Sequence, residues 1–322
     1  MKVGIVGNGM IVPIAIEAML RAEIEVTALW CRNEAKGKPI VEKYQIQNQY
    51  TDYHAFLDDD SFDTVYIGLT NALHYQYAKD AILAGKHVIV EKPFTISTVE
   101  AKELQALALK HECMLFEAIL SRYSKNYEHL KDELQKIGKI KLIQANFSKY
   151  SSRYDEFRKG AITPTFDKAQ GGGALMDLNV YNIHFVVGLF GLPKKVQYYT
   201  NLAENGVDTS GILIMEYPDF QAVCTAAKDS TSDPFVIIQA EDGTIVYPER
   251  PGYVRYGERY DRLTNLTEEI DVVAEEDPMK NEFLYMQEII DTKNTEQMNA
   301  WLEKSTMTVA VLEQALQSIL QG

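Results

Sequence analysis

The chain has 322 residues, 46% of them apolar and 24% charged, with a net charge of −14. Such a composition belongs to a globular protein with enough core for two domains. The acidity argues against nucleic-acid backbones and anionic membrane surfaces as partners, though not against a small anion held by a local basic site.

Three scattered cysteines, Cys31, Cys113 and Cys224, show no CxxC spacing, so neither a disulfide framework nor a thiolate metal site is expected. The chain starts on a strand, without a charged-then-apolar leader, and no run of about 18 apolar residues suggests a bilayer span. A cytoplasmic protein is the expectation.

Lys2 to Val6 reads as a strand that runs into Gly7-Asn8-Gly9-Met10-Ile11-Val12. An amphipathic helix with Ile11, Ala15, Ala18 and Met19 on one face follows. Strand, glycine turn and helix form the context in which a GxGxx fingerprint binds a dinucleotide. Gly7 allows the tight turn, and Gly9 lets backbone N–H groups at the helix start approach a pyrophosphate. The third position holds Val12 where a small residue is usual, which predicts looser helix–strand packing.

The next strand, Glu25 to Cys31, ends in Trp30-Cys31-Arg32-Asn33 without the acid that would grip an NAD ribose. Arg32 suits a 2′-phosphate instead, because guanidinium matches phosphate geometry. NADP is therefore favoured over NAD.

Asp63 to Gly68 is a further strand, followed by Thr70-Asn71 and His74, and by a helix with Ala78, Ala81 and Ile82 inward that stops at Gly85. Asn71 and His74 are candidates to line the nicotinamide pocket; the plain alternative for His74 is a backbone-bonding residue at a helix start. The run Val88-Ile89-Val90 has the continuous β-branched character of a buried parallel strand and ends in Glu91-Lys92-Pro93. Ligands of open α/β sheets bind beyond such strand ends. Pro93 keeps Lys92 out of the helical region, so its amine stands on stiff, extended backbone. Lys92 is the expected chemical centre.

Ser97 to Glu100 is a capping box opening a helix with Ala101, Leu104 and Ala108 inward, and Met114 to Glu117 is the last strand of this half. The βα alternation over residues 1–120 predicts a doubly wound parallel Rossmann sheet. Residues 121–322 change pattern and predict a second domain, for substrate, built on a mostly antiparallel sheet. A helix over 125–136 leads to a strand over 139–148. Further strands are expected near 194–201, 207–217, 220–228, 235–241 and 244–247, with short turns at Pro218-Asp219 and Asp242-Gly243. An acidic connection spans 268–277, and two helices, near 279–291 and 305–320, close the chain.

Within that second half lies Gly171-Gly172-Gly173, then a helix presenting Asp177, Tyr181 and His184 at i, i+4 and i+7. A carboxylate, a phenol and an imidazole on one stripe of an apolar helix are costly to bury unless partnered. They are either satisfied core groups or a site. Two candidate ligands seven residues apart do not support a metal. Lys149, Tyr150 and Arg153, after the first strand of this domain, are weak candidates for contacting substrate hydroxyls, as is His184.

Together, Gly7-Asn8-Gly9, Thr70-Asn71 with His74, Ala84-Gly85-Lys86-His87-Val88, Glu91-Lys92-Pro93 and the Gly171–Tyr181 stretch resemble the glucose–fructose oxidoreductase/inositol dehydrogenase (Gfo/Idh/MocA) family. The resemblance runs through the whole chain. It implies a Rossmann domain, then an α/β domain whose open antiparallel sheet often serves oligomerisation, so a homo-oligomer, dimer or tetramer, is expected. It implies that Lys92 matches the catalytic lysine, with a cis Lys92–Pro93 bond, and that Asp177 matches the helix carboxylate. Tyr181 falls where inositol dehydrogenase-like members carry a histidine; a tyrosine there is similar to the NADP-using glucose–fructose oxidoreductase and dihydrodiol dehydrogenase branch.

The cofactor contacts implied are Gly7, Asn8, Gly9, Met10, Ile11, Arg32, Thr70, Asn71, His74, Glu91 and Lys92. The activity implied is hydride transfer between NAD(P) and a carbinol or ketone of a sugar, polyol or cyclic diol, with Lys92, Tyr181 and Asp177 catalytic. A catalytically silent dinucleotide sensor and a redox-assisted glycoside hydrolase are the alternatives. Val12, Asn179 and Thr70 depart from the family pattern, which usually has a small residue, a glycine and a proline there.

Overall fold

The computed structural model describes residues 1–274 and 277–319. The chain forms two compact units. The first comprises Met1–Ala118 and Met279–Thr306; the second comprises Ile119–Pro278 and the residues from Met307 onward. A single cut near residue 120 therefore misses the return of the chain, whose closing helical region contributes to both units.

In the first unit, β1 (Lys2–Val6), β2 (Glu25–Trp30), β3 (Asn48–Tyr50), β4 (Thr64–Ile67), β5 (His87–Glu91) and β6 (Leu115–Ala118) make an all-parallel sheet in the order β3-β2-β1-β4-β5-β6. This is the doubly wound order, with its switch between β1 and β4. Helices α1 (Ile11–Arg21), α2 (Glu34–Tyr44), α3 (Tyr53–Leu57), α4 (His74–Leu83) and α5 (Thr98–Lys110) make the crossovers. Val88, Ile89 and Val90 of β5 are fully buried, as the β-branched run requires, each contributing about 1.5–3 kcal/mol by burial. The Ser97 hydroxyl accepts from the Val99 and Glu100 N–H groups and starts α5 as the capping box predicts. Ala101, Leu104 and Ala108 face inward.

The second unit begins with α6 (Lys125–Leu134). It contains β7 (Ile140–Ser148), the short α7 (Tyr154–Arg158), α8 (Val180–Phe190), and the strands β8 (Lys195–Leu202), β9 (Asp208–Glu216), β10 (Gln221–Ala227), β11 (Phe235–Ala240), β12 (Gly243–Tyr247), β13 (Glu258–Asp261) and β14 (Leu266–Glu269). Its eight-stranded sheet runs β14-β13-β12-β11-β7-β10-β9-β8. Among the described residues of this sheet only β7 and β10 pair in parallel; both expected hairpins, β9–β10 and β11–β12, are antiparallel. β13 and β14 escape sequence reading because Glu-Arg-Tyr-Asp and Leu-Thr-Glu-Glu form an outer hairpin, with β14 at the sheet's edge, and neither has a buried face to write an apolar alternation. Glu268 and Glu269 thus belong to a strand rather than to the acidic connection, of which Glu275 and Glu276 lie outside the described residues.

Helices α9 (Pro278–Thr292) and α10 (Thr295–Ile319) close the chain. The last helix starts ten residues earlier than its apolar stripe suggests, because the Asn294 side chain caps the Gln297 N–H. The stretch Lys168–Phe190 reaches the length and mean apolarity of a membrane span, although Asp177, Asn179, Asn182 and His184 interrupt it. However, 72% of that window is buried inside the protein, as suits a core helix.

Candidate active site

The first unit's candidates gather at one sheet edge. Gly7, at the end of β1, has φ +115°, and a Cβ there would lie 2.5 Å from the Gly68 carbonyl oxygen, so a side chain is excluded twice over. Gly9 is different: a Cβ there would meet only the Gly68 oxygen, at 3.7 Å. The protein's own packing does not demand glycine at 9, which suits a position kept bare for a ligand. The α1 N-terminus has no side-chain cap and no acid in its first turn, and Met10 beside it is exposed. Its N–H groups are suited to an anion.

Val12 does not loosen the packing. It is fully buried, and the space it needs comes from Gly68 after β4, where a Cβ would approach Val12 Cγ2 to 2.9 Å. The small residue absent from the fingerprint is supplied by the neighbouring strand.

Arg32 follows β2 as an exposed side chain with no hydrogen bond or ion pair among the described residues. Asn33 beside it caps α2 through the Lys36 N–H. No ribose-gripping acid ends β2. Uncapped helix, bare Gly9 and unpartnered arginine together fit a dinucleotide with a 2′-phosphate.

Thr70 and Asn71 follow β4, half-buried, in a 3₁₀ turn over Asn71–Leu73. Lys92 follows β5, half-buried, and its bond to Pro93 is cis. The loop carrying Lys92 is braced by three buried side chains. Glu91 accepts from the Tyr66 hydroxyl at 2.6 Å and from the Lys92 N–H at 3.3 Å. Glu117 accepts from the Phe94 N–H at 2.8 Å. His74 places Nδ1 2.9 Å from the Pro93 carbonyl and Nε2 3.3 Å from that of Leu69.

Two expectations change here. Glu91 and His74 are loop braces: both are buried, His74 completely, and their polar atoms are engaged by the protein. Burial raises the Glu91 carboxyl above the ordinary carboxylate range and lowers the His74 imidazole below its ordinary value.

The second unit's candidates lie on one helix. A π-helical turn, Leu175–Asn179, precedes α8, a local irregularity often found where side chains are re-aimed. Gly172 and Gly173 before it admit protein rather than ligand. At Gly173, with φ +114°, a Cβ would collide with Asp208 Oδ1 at 1.9 Å, and at Gly172 one would strike the Pro164 carbonyl at 2.6 Å. Asp208, buried, accepts from the Leu175 N–H at 2.7 Å and the Tyr198 hydroxyl at 2.7 Å, and so holds the start of the turn. Asn179, where the family usually has glycine, is fully buried. It donates to the Cys224 carbonyl at 3.3 Å and accepts from Asn182 at 2.8 Å, which stitches the helix to β10.

Asp177 is held by a residue that sequence reasoning missed. The buried Lys228 ammonium closes on Asp177 Oδ2 and on the Thr165 hydroxyl, over the Phe166 ring. Lys228 follows the last strand alanine, Ala227; the only sequence signal was a lysine at the end of a strand. Tyr181 is half-buried, edge-to-face on Phe147 with centroids 5.5 Å apart.

His184 is turned away from any substrate role. It is buried, with Nδ1 3.1 Å from Arg122 Nη2 and 3.2 Å from the Thr308 hydroxyl. Lys149 is exposed; Tyr150 donates to Asp155 at 2.8 Å, and Arg153 pairs with Glu156 at 3.5 Å. These three stand on the surface around α7, the last two engaged with local acids, so the weak substrate expectation finds no constellation there. Among the described residues no group of three or more His, Cys, Asp or Glu could hold a metal ion.

The model of an oxidoreductase family with an NAD-binding Rossmann fold matches residues 1–119, and the model of the GFO/IDH/MocA C-terminal domain matches residues 129–246. The scyllo-inositol 2-dehydrogenase (NADP(+)) IolU of Bacillus subtilis is 34% identical over 98% of this chain and 95% of its own. The trans-1,2-dihydrobenzene-1,2-diol dehydrogenase of Homo sapiens is 29% identical over 67% of this chain and 64% of its own. The solved structure of KijD10, a 3-ketoreductase from Actinomadura kijaniata in complex with NADP and TDP-benzene, shares the fold with TM-score 0.83 at 21% identity, covering 99% of this chain and 97% of that one. With both family domains matched in order around a doubly wound sheet, and a relative similar almost end to end, the chain belongs to the Gfo/Idh/MocA family of NAD-binding oxidoreductases.

Proposed function

We propose that this oxidoreductase transfers a hydride between NADP and a carbinol or ketone carbon of a sugar, polyol or cyclic diol. One observation carries the reading: the bare Gly7–Gly9 turn and Lys92 stand at the same carboxyl edge of one sheet, on either side of β4. Substrates of IolU and of the dihydrodiol dehydrogenase supply the substrate class. The bound nicotinamide supplies the hydride chemistry. Gly7, Asn8, Gly9, Met10 and Ile11 receive the pyrophosphate at the start of α1, and Arg32 takes the 2′-phosphate.

Tyr181 takes the carbinol proton in oxidation and returns it in reduction. Lys92 hydrogen-bonds the reacting oxygen from a loop that cannot sag, because Glu91, Glu117 and His74 hold its backbone. Asp177, fixed by Lys228, orients a substrate hydroxyl. In an assay of NADP against inositols, sugars and cyclic diols followed by nicotinamide absorbance, Lys92→Met loses on the order of 10²-fold or more in kcat while still binding NADP. A variant as active as the parent ends this mechanism.

The same reading includes a cytoplasmic homo-oligomer. All three cysteines are buried and unbridged, which suits a reducing compartment. Tyr199 of β8 and Ile212 of β9 pair across strands and are 59% and 47% exposed, an apolar patch suited to a second copy. Light scattering on a Tyr199→Glu, Ile212→Lys variant should report a smaller particle than the parent; an unchanged mass refutes that interface.

A further inference from the structure

Arg250 lies in the loop after β12, in the sequence Pro248-Glu249-Arg250-Pro251-Gly252-Tyr253. Its guanidinium carbon sits 3.7 Å from the centroid of the Tyr253 ring and 5.9 Å from that of Phe147. Phe147 is also the ring on which Tyr181 packs, at 5.5 Å. Gly252, two residues on, brings the loop against the same phenol: a Cβ there would lie 3.1 Å from Tyr181 Cδ1. Arg250 and Tyr181 thus share one aromatic neighbour, within one unit of the molecule.

The charges around Arg250 do not cancel. Its sequence neighbour Glu249 is already bound by Arg255, through Nη2 at 3.0 Å and Nε at 3.2 Å. Asp177 is closed on by Lys228. Among the described residues the Arg250 guanidinium has no hydrogen bond and no ion pair; it rests on ring faces, with the Tyr181 phenol and the engaged Glu249 carboxylate acting on it only through space. A half-buried cation pays for lost hydration unless an anion replaces the water. Burial does weaken its hold on the proton, in keeping with that cost. Aromatic faces hold the guanidinium plane but offer nothing to its five N–H donors, which match a carboxylate fork for fork.

We infer that Arg250 is a specificity-determining residue, and that the substrate carries a carboxylate beside its hydroxylated carbons, as a sugar acid does. This rests on the proposed role of Tyr181 for its relevance to turnover, but not for its test, which is binding.

The test is isothermal titration of the full-length, NADP-loaded protein with matched pairs, gluconate against sorbitol and glucuronate against glucose. Measurements are made on the parent and on Arg250→Gln and Arg250→Lys. A charge-assisted contact of this kind makes at least one acid bind roughly tenfold to a hundredfold more tightly than its neutral partner. Arg250→Gln abolishes the preference, and Arg250→Lys keeps only part of it, since an ammonium lacks the fork.

The inference is overturned if no acid binds the parent more tightly than its neutral partner, a result that needs no variant to fold. It is equally overturned if the preference survives in Arg250→Gln. Acid binding through Arg250 without any hydride transfer would end the dehydrogenase reading and leave this one standing; turnover of neutral polyols with no acid preference does the reverse.

Discussion

The Lys228 ammonium, 2% exposed, is closed on the carboxylate of Asp177, whose side chain remains 38% exposed. One member of the pair is sealed in the protein and the other reaches the surface of its helix. Lysine is almost never buried so deeply without a counter-charge. The pair fixes which way Asp177 points.

Lys228→Met should therefore act through Asp177. Removing one partner of a fully buried pair costs about 3–5 kcal/mol, and Asp177's contact with water reduces that to ~1–3 kcal/mol here. With Asp177 no longer fixed, kcat is expected to fall at least ~10-fold while NADP affinity holds. Parallel denaturation and cofactor titrations check both; a variant with unchanged kcat removes Asp177's orientation from the mechanism.

Arg32→Ala tests the cofactor assignment. The parent should bind NADP more tightly than NAD, and the variant should lose roughly tenfold to a hundredfold of NADP affinity with little change for NAD. Equal losses for both cofactors would mean that Arg32 supports the loop rather than a 2′-phosphate.

Gly68→Ala tests the compensation at the fingerprint. The new methyl falls 2.9 Å from Val12 Cγ2 and 3.2 Å from Tyr66 Cε1. Overpacking of this kind costs about 1–3 kcal/mol. Val12→Ala in the same chain should recover part of it, so a double-mutant cycle by chemical denaturation gives a clearly non-zero coupling. Additive effects would show that Gly68 and Val12 do not share the space.

His74 predicts a pH dependence. Burial lowers its folded-state pKa below the ordinary 6.5. Below about pH 6.5 the unfolded chain takes up a proton that the folded chain resists, so this contribution is complete above that pH and is lost as pH falls toward the folded value. His74→Asn keeps a donor but cannot titrate. The stability difference between parent and variant should shrink from pH 7 to pH 5; the raised Glu91 is present in both and cancels. A difference that stays level with pH would show that His74 does not titrate on unfolding.

Much of the first unit was legible because its signals are local. Val88-Ile89-Val90 is apolar because both faces of β5 are covered, and Ser97-Thr98-Val99-Glu100 carries its own cap. In the second unit β13 and β14 were not legible, since an outer hairpin without a buried face leaves no hydrophobic period. Gly172 and Gly173 signalled close approach correctly, but only the fold shows that the Pro164–Thr165 backbone and Asp208 are what approach.

By itself, then, the order of residues determined the two-part α/β plan, the dinucleotide turn and the prominence of Lys92, Asp177 and Tyr181, because periodicity, glycine turns and strand-end chemistry are properties of neighbours in sequence. Tertiary structure decided the rest. It turned His74, His184 and Glu91 from candidate ligand contacts into braces, found room for Val12 in Gly68, and brought Lys228 to Asp177 from 51 residues away. It also set Arg250 beside the ring that supports Tyr181. Burial and pairing depend on what arrives from distant strands, and a polar side chain is spent or available only once its neighbours in space are known.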